Sequence, residues 1–207
     1  MKDKIIFYLP IILFISPIFG NSIDLSKLRE GDLIFHESIS EQATAIKHAT
    51  KSRYTHVGII FKYKEKFKVL EAIEPVKITD LNSFIKRGIN GHYVIKRLKN
   101  DKKVLTPEIV LNMKRYGNSF LGKHYDLYFE WSEDRIYCTE LVWKIYEKYT
   151  GLKIGELKTL KDFDISAPTV QALMKKRYGS KIPYSEPVIS PVDMFNSSEL
   201  QTTMVIN

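Results

Sequence analysis

The sequence predicts an α+β domain in which helices pack on a small antiparallel sheet. Its first half contains short apolar runs rich in β-branched residues, which are typical of strands. Its second half repeats apolar residues at helical spacing. Strands followed by helices, rather than alternating with them, favour an α+β architecture. Because no internal repeat, low-complexity linker or domain boundary interrupts the chain, we expect a single domain at residues 23–207.

The first 22 residues have the three-part pattern of a secretory signal peptide. Lys2 and Lys4 form a basic start, residues 5–19 are mainly apolar, and Gly20 and Ser22 are small residues suited to cleavage. We expect cleavage after Ser22, with cleavage after Gly20 as an alternative. The apolar run is shorter than the roughly 20 residues of a spanning helix, which disfavours a retained anchor, and no cysteine directly follows it to carry a lipid. We therefore expect an exported protein, in the periplasm or outside a bacterial cell.

A formal net charge of +8 at pH 7 makes the protein basic. A basic exported protein can be attracted to the anionic polymers or lipid head groups of an envelope surface. The lysines are dispersed, however, and the alternating series Lys62, Lys64, Lys66 and Lys68 indicates one solvated strand face. Because no basic stripe is concentrated and export separates the protein from nucleic acids, we expect no nucleic-acid partner. The sequence leaves the oligomeric state open.

The predicted sheet begins early in the chain. Gly31-Asp32 precedes a short apolar run at residues 33–35, which predicts a buried strand. Residues 38–41, Ser-Ile-Ser-Glu, have the spacing of a capping box and predict the start of a helix. Residues 56–61 and 67–73 predict two strands close enough to form a hairpin. The helix before the hairpin would place four residues on one face: Ala43, Ile46, Ala49 and Thr50.

Capping signals locate the elements that follow. Asp80 predicts the start of a short helix ending near Gly88, and residues 93–95 predict a third strand. Thr106 followed by Pro107 predicts the start of a longer helix.

The last predicted helix follows a loop that ends near Cys138, and Gly151 would close it. One face of this helix carries five apolar or aromatic residues: Leu141, Val142, Ile145, Tyr146 and Tyr149. Prolines in the C-terminal segment predict an irregular tail over the surface: Pro183, Pro187 and Pro191.

Cys138 is the sole cysteine of the chain. One thiol cannot form an intramolecular disulfide, so it is an inert buried group, half of an intermolecular bridge or a reactive group. A position at the start of a helix tends to lower the pKa of a thiol and to raise its thiolate fraction. We therefore predict that Cys138 is the nucleophile of a hydrolase, with an inert packed thiol as the alternative.

A cysteine nucleophile needs a base, for which His56 is the best candidate, and Glu71 is the natural group to orient its imidazole. The length of the hairpin loop decides their geometry. A four-residue loop would pair His56 directly with Glu71. A two-residue loop would leave Glu71 diagonal to His56 on the same face of the sheet. A three-residue loop without a bulge would put Glu71 on the opposite face from His56. Alternatively, His56 is only a hydrogen-bonded strand residue, and Glu71 faces solvent beside Lys68. The 5 histidines form no close pair at zinc-ligand spacing, so we expect no metal or other cofactor.

An ordered set of segments resembles the YiiX/YebB-like family of circularly permuted, NlpC-type papain-like enzymes. These segments are residues 31–35, 55–58, 70–72, 122–126, 137–142 and 189–191. In that family the histidine precedes the cysteine, as it does here. The resemblance covers approximately residues 28–200. It implies a permuted papain-like fold, in which a helix bearing the nucleophile packs against an antiparallel sheet or barrel bearing the histidine.

The resemblance implies the roles of nucleophile, base and imidazole partner for the same three residues that geometry selects. It also makes Tyr125, Asp126 and Tyr137 candidates for the substrate pocket. His36 stands where members of the family often carry Gln. We therefore expect His36 at the pocket, with an altered substrate contact or altered support of the oxyanion.

The leading functional hypothesis is an exported cysteine hydrolase that cleaves an amide bond, with cell-wall peptides as the first substrate candidate. A lipid or thioester acyl hydrolase or acyltransferase is the second hypothesis, and a wall-binding module without turnover is the third. A pocket lined by Phe, Ile and Leu would favour acyl chains. A short groove ending in a carboxylate or an amine-binding acid would favour peptides. An unreactive cysteine would favour the binding module.

Overall fold

The computed structural model describes residues 23–206 and contains a six-stranded antiparallel sheet. The predicted signal peptide lies outside the described residues. The strands are β1 (Leu33–Ser38), β2 (His56–Tyr63), β3 (Lys66–Glu71), β4 (Lys77–Asp80), β5 (Gly88–Leu98), β6 (His124–Tyr125), β7 (Arg135–Ile136), β8 (Lys158–Thr159), β9 (Pro187–Val188) and β10 (Leu200–Ile206). The sheet has the order β10-β5-β1-β2-β3-β4, whereas β6 pairs with β7 and β8 with β9. The predicted α+β class is confirmed.

Four of the helices begin close to the residues where the sequence predicts them, with one shift. The helices are α1 (Glu41–Thr50), α2 (Leu81–Lys86), α3 (Asp101–Val104), α4 (Pro107–Asn118), α5 (Cys138–Thr150), α6 (Pro168–Tyr178) and α7 (Pro191–Phe195). Ser40, not Ser38, caps α1, because its hydroxyl accepts a hydrogen bond from the N–H of Ala43 at 2.9 Å. Thr106 caps α4, and Gly151 ends α5 with a φ of 70°. No helix within residues 23–206 is long and apolar enough to cross a membrane.

Apolar side chains cover both faces of the sheet. Alternate residues of each strand point to opposite faces. One set packs against α4 and α5, and includes Leu33, Phe35, Val57, Ile59, Phe61, Leu70, Leu141, Val142 and Ile145. The other set packs against α2, and includes Ile34, Ile60, Val69, Leu81, Phe84, Tyr93 and Ile95. The start of α5 is thereby held against β2, the strand that begins at the predicted base.

The β2–β3 hairpin adopts one of the three predicted registers. Tyr63 pairs with Lys66, which leaves a two-residue loop. Both loop residues, Lys64 and Glu65, have positive φ values, of 49° and 61°. Positive φ at both positions is the requirement of a type I′ turn, whose twist matches that of the flanking strands. This register places Glu71 diagonal to the start of β2.

The prediction of an irregular C-terminal tail is wrong. Helix α6 packs on α1, and its buried residues join those of α1 in a separate apolar cluster. Strand β10 pairs with β5 at the edge of the central sheet, with Leu200 opposite Leu98. The sequence of β10 carries no clear alternation because its register shifts between Thr202 and Met204, so that Leu200 joins one apolar cluster while Met204 and Ile206 pack against the other. Its pairing with a strand about one hundred residues earlier leaves no local signal.

Candidate active site

The start of α5 presents the thiol of Cys138 at the first helical position. Tyr137 is the N-cap residue, and the buried Glu140 side chain accepts a hydrogen bond from the N–H of Tyr137 at 3.3 Å. This bond to the N-cap backbone fixes the helix start. The first N–H groups of a helix have no intrahelical acceptor and carry the positive end of its dipole, so they favour a negative charge beside Cys138. The cysteine is 2% exposed.

His56 and Glu71 form a buried pair at the other side of the site. His56 Nε2 lies 2.7 Å from Glu71 Oε2, and the carboxylate is fully buried. Arg87 Nη2 donates to both carboxylate oxygens, at 2.6 and 2.5 Å. Burial alone would raise the pKa of Glu71, but the bonds from His56 and Arg87 lower it to about 2. Glu71 is therefore an anion at neutral pH, and it holds the imidazole by one nitrogen.

The thiol of Cys138 and the imidazole of His56 are hydrogen-bonded and shift each other's pKa. Burial alone would raise the pKa of Cys138, but the bond and charge of His56, followed by the backbone N–H of Val57, lower it. Burial alone would lower the pKa of His56, but Cys138 and Glu71 together raise it to about 9. Both shifts favour a thiolate beside an imidazolium, which is the reactive form of a cysteine nucleophile.

A cavity of about 100 Å³ opens beside the thiol, between α1, α6 and the start of α5. Its lining is mainly apolar and includes Ala45, Ile46, Ala49, Phe129, Phe163, Ile165, Val170, Leu173, Met174, Val188 and Ile189. Its polar groups include Gln42, Tyr125 and Arg177, with Thr139 and Ser190 near the helix start. Three of the four residues predicted on the apolar face of α1 line this cavity, namely Ile46, Ala49 and Thr50. The face predicted from helical spacing is thus directed at the site.

The three predicted pocket residues have different surroundings. Tyr125 lines the cavity, and its hydroxyl oxygen lies 2.9 Å from Gln42 Nε2. Tyr137 also lines the cavity, but its hydroxyl accepts a hydrogen bond from the N–H of Ile189 at 3.2 Å, which ties α5 to the C-terminal segment. Asp126 is buried and accepts a bond from the N–H of Tyr128 at 2.8 Å.

His36 lies outside the cavity lining, behind the imidazole of His56. It is paired with His56 across β1 and β2, and their ring centroids are 5.2 Å apart. Its ring stacks on Phe84 with centroids 4.4 Å apart. Burial, helped by the charges of His56 and Arg87, lowers the pKa of His36 to about 3, so it is neutral at physiological pH. In this position His36 packs beside His56 and does not line the cavity.

Sequence reasoning missed Arg87, Gln42 and Arg177. Arg87 follows a short helix, and nothing in its neighbourhood of the sequence indicates a bond to a carboxylate sixteen positions earlier. Gln42 and Arg177 meet through the packing of α1 on α6, at a separation of 135 positions. A polar residue interrupting the apolar face of α1 was the one signal that could have pointed to Gln42.

The fold and the site together define a permuted papain-like cysteine hydrolase: Cys138 starts a helix that packs on an antiparallel sheet, and His56 on the sheet precedes it in the chain. The chain belongs to the family described as permuted papain-like amidase enzymes, YaeF/YiiX, C92, which matches residues 27–204. The predicted family and fold are confirmed, and the protein is a cysteine amidase-type hydrolase.

Two relatives illustrate the match. The chain is 42% identical over 172 residues to YiiX of Escherichia coli strain K12, covering 83% of this chain and 84% of YiiX. It also superposes on the crystal structure of yiiX from Escherichia coli O157:H7, with a TM-score of 0.82 and 41% identity, covering 87% of this chain and 98% of the other.

The crystal structure of the relative is described as that of a metalloprotein. Residues 23–206 of this chain contain no group of three or more His, Cys, Asp or Glu side chains arranged to hold a metal ion. Structural and catalytic sites for transition metals usually need at least three such ligands. Residues 23–206 therefore do not fit a metal centre.

Proposed function

We propose that the protein hydrolyses an amide bond through an acyl-enzyme on Cys138, with His56 as acid and base and Glu71 as the partner of the imidazole. The observation that carries this proposal is the contact of one imidazole with both the thiol of Cys138 and, at 2.7 Å, the carboxylate of Glu71. A nucleophile bonded to a base that is itself oriented by a third group is the arrangement of covalent hydrolases.

Each step has a residue to perform it. The Cys138 thiolate attacks the carbonyl carbon, and the N–H of Cys138 at the helix start supports the developing oxyanion. The imidazolium of His56 donates its proton to the leaving amine as the C–N bond breaks, which leaves a thioester. A water molecule then attacks the thioester while neutral His56 accepts its proton, and the acid and the thiol are released. Glu71, kept ionised by Arg87, stabilises the imidazolium.

The cavity favours a substrate with an apolar acyl group. Phe, Ile, Leu, Val and Met side chains surround the space beside the thiol, and such a lining binds hydrocarbon more readily than charged groups. A volume of about 100 Å³ admits a short or narrow chain rather than a bulky one. We therefore place an N-acyl amide with a hydrocarbon acyl chain ahead of other amides as the substrate class.

A cell-wall stem peptide is the second candidate. Arg177 places a cation in the mainly apolar lining, and guanidinium groups bind carboxylates with matched geometry. The carboxylates of stem peptides would suit such a group. This candidate also fits export, which is supported by the basic, apolar and small-residue pattern of residues 1–22, and a peripheral attraction to anionic envelope surfaces, which is supported by the net charge of +8.

The test compares N-acyl amides of increasing chain length with muropeptides, using purified mature protein and mass spectrometry of the products. We expect hydrolysis of the N-acyl amides with an optimum at short to medium chains, and no hydrolysis by Cys138→Ala. Cleavage of muropeptides alone would reverse the order of the two candidates. Hydrolysis that persists in Cys138→Ala would refute the acyl-enzyme. Fractionation of cells with N-terminal sequencing tests export and the cleavage site.

A further inference from the structure

Three hydrogen-bonding side chains lead from helix α6 to the thiol of Cys138. Arg177 Nη2 donates to Gln42 Oε1 at 2.8 Å, and Gln42 Nε2 lies 2.9 Å from the hydroxyl oxygen of Tyr125. The hydroxyl of Tyr125 is in turn hydrogen-bonded to the sulfur of Cys138. All four residues line the cavity described above. The chain of contacts therefore connects a helix that covers the site with the nucleophile itself.

The chemistry of these groups sets the direction of every bond in the chain. A guanidinium has only donors, so the atom of Gln42 that faces Arg177 must be its carbonyl oxygen. The amide nitrogen must then face Tyr125, and because that nitrogen only donates, the hydroxyl oxygen must accept. A hydroxyl that accepts one bond keeps its own hydrogen for another partner. The remaining partner of Tyr125 is the sulfur of Cys138.

The backbone holds Tyr125 next to the nucleophile. Tyr125 in β6 pairs with Ile136 in β7, and Ile136 lies two positions before Cys138. Burial raises the pKa of Tyr125 well above its usual value, so the phenol keeps its proton over the working range of the enzyme. Its hydroxyl is therefore a permanent donor, not a second acid that competes with His56.

We propose that Tyr125 donates a hydrogen bond to the resting thiolate of Cys138, and that Gln42 and Arg177 are positioning residues that commit its hydroxyl to this direction. The proposal rests on the nucleophile assigned under the proposed function. His56 supplies a positive charge to the thiolate, and Tyr125 adds a neutral donor from the side of the cavity. A hydrogen bond to the charged form of a group lowers its pKa. Contact between α1 and α6 thus contributes to the reactivity of the thiol.

The test measures the pH dependence of iodoacetamide alkylation of Cys138 in the full mature chain. In the wild type we expect a midpoint well below the roughly 8.5 of a free cysteine. Tyr125→Phe removes only the hydroxyl, and we expect it to raise the midpoint by about one pH unit, the size of a lost hydrogen bond to a charged group. An unchanged midpoint in Tyr125→Phe, with the fold retained by circular dichroism, would overturn the proposal.

The substitution Gln42→Glu tests the direction of the bonds. A carboxylate only accepts, so it would take bonds from both Arg177 and Tyr125 and turn the hydroxyl away from the thiolate. We expect the midpoint to rise in the wild-type background by more than it rises in the Tyr125→Phe background, where only the added charge acts. Equal rises of the midpoint in the two backgrounds would refute the proposed direction of the hydrogen bond from Tyr125 to Cys138. Gln171→Glu, on the exposed side of α6, adds the same charge without the contact and should leave the midpoint unchanged.

Two further variants make the outcome unambiguous. Arg177→Met releases the amide of Gln42 to rotate, and we expect a smaller rise of the midpoint than in Tyr125→Phe. If Gln42→Glu fails to fold, Arg177→Met replaces it as the test of positioning. A rise of the midpoint no larger in the wild-type background than in the Tyr125→Phe background, where only the lost charge acts, would then count against the proposal. His56→Ala distinguishes a failure of the proposed function from a failure of the proposed role of Tyr125. If His56→Ala leaves the midpoint unchanged, the proposed function fails; if it raises the midpoint while Tyr125→Phe does not, only the role of Tyr125 fails.

Discussion

His56 and Glu71 are joined at 2.7 Å across the β2–β3 hairpin, although neither residue lies directly opposite the other. The two-residue loop of this hairpin offsets them diagonally on one face, and the long side chain of Glu71 spans the offset. Because Arg87 binds the same carboxylate on both oxygens, the imidazole meets an anion whose position is fixed. The register of one hairpin therefore decides whether the site has an oriented base.

Replacing Glu71 by Gln should reduce activity without unfolding the domain. The amide keeps the size of the side chain but loses the charge that stabilises the imidazolium, so we expect kcat to fall by roughly 10²-fold or more. The measurement is steady-state hydrolysis of an N-acyl amide, with a thermal melt of each protein. Glu108→Gln is the control, because Glu108 is exposed in the first turn of α4 and makes the same change of carboxylate to amide away from the site. Turnover at the wild-type level in Glu71→Gln would remove Glu71 from the mechanism.

The dependence of kcat/KM on pH should be bell-shaped, with its alkaline limb near pH 9. Activity needs the thiolate of Cys138, which forms above the lowered pKa of that thiol, and the imidazolium of His56, which is lost as the pH rises through about 9. Alkylation needs only the thiolate, so its rate should stay high above the pH at which hydrolysis declines. Comparison of the two profiles is the measurement, and a parallel decline in both would contradict the assignment of His56 as the acid.

The buried carboxylate of Glu71, bonded to His56 and to Arg87, should make the fold sensitive to acid. The pKa of Glu71 is lowered from 4.5 to about 2 in the folded state, so this group stabilises the fold fully above about pH 4.5 and loses that contribution as the pH falls toward 2. The contribution is on the order of 3 kcal/mol, since one pKa unit corresponds to about 1.4 kcal/mol. Urea unfolding at a series of pH values measures it.

Arg87→Met isolates the part of this acid sensitivity that comes from the guanidinium. Without it the pKa of Glu71 should rise toward 4.5, so the free energy of unfolding should decline less between pH 5 and 3, starting from a lower value at neutral pH. Arg53→Met removes another arginine that faces a carboxylate, that of Glu37, and should leave the slope in this range unchanged. A slope in Arg87→Met equal to that of the wild type would contradict the role of the pair.

The sequence predicts the parts of the site that rest on local signals. A cysteine at a helix start, a histidine opening a β-branched run and a lone carboxylate inside an apolar strand identify the three residues that the structure brings together. The loop length between the strands could not be chosen in advance. Neither Lys64 nor Glu65 belongs to the residue types that favour positive φ, yet both adopt it in the two-residue turn.

The features that the sequence did not predict depend on contacts between distant segments. Gln42 and Arg177 come into contact only because α6 packs on α1. Likewise, β10 is recognisable as a strand only from its pairing with β5. His36 was expected at the pocket because of its position in the family, but its strand directs it behind His56, where it stacks on Phe84. Local periodicity carries no information about such long-range pairings.

The apolar cavity should set the length of the acyl chain that the enzyme accepts. Ala49 lies on α1 and lines the cavity, so Ala49→Phe would fill part of a space of about 100 Å³. We expect kcat/KM for longer acyl chains to fall at least about tenfold, the loss of roughly two buried methylene groups, while the shortest acyl amide is unaffected. Ala172→Phe, on the exposed side of α6, is the matched control. If Ala49→Phe lowers kcat/KM equally for every chain length, the cavity does not hold the acyl chain, and the muropeptide becomes the favoured substrate.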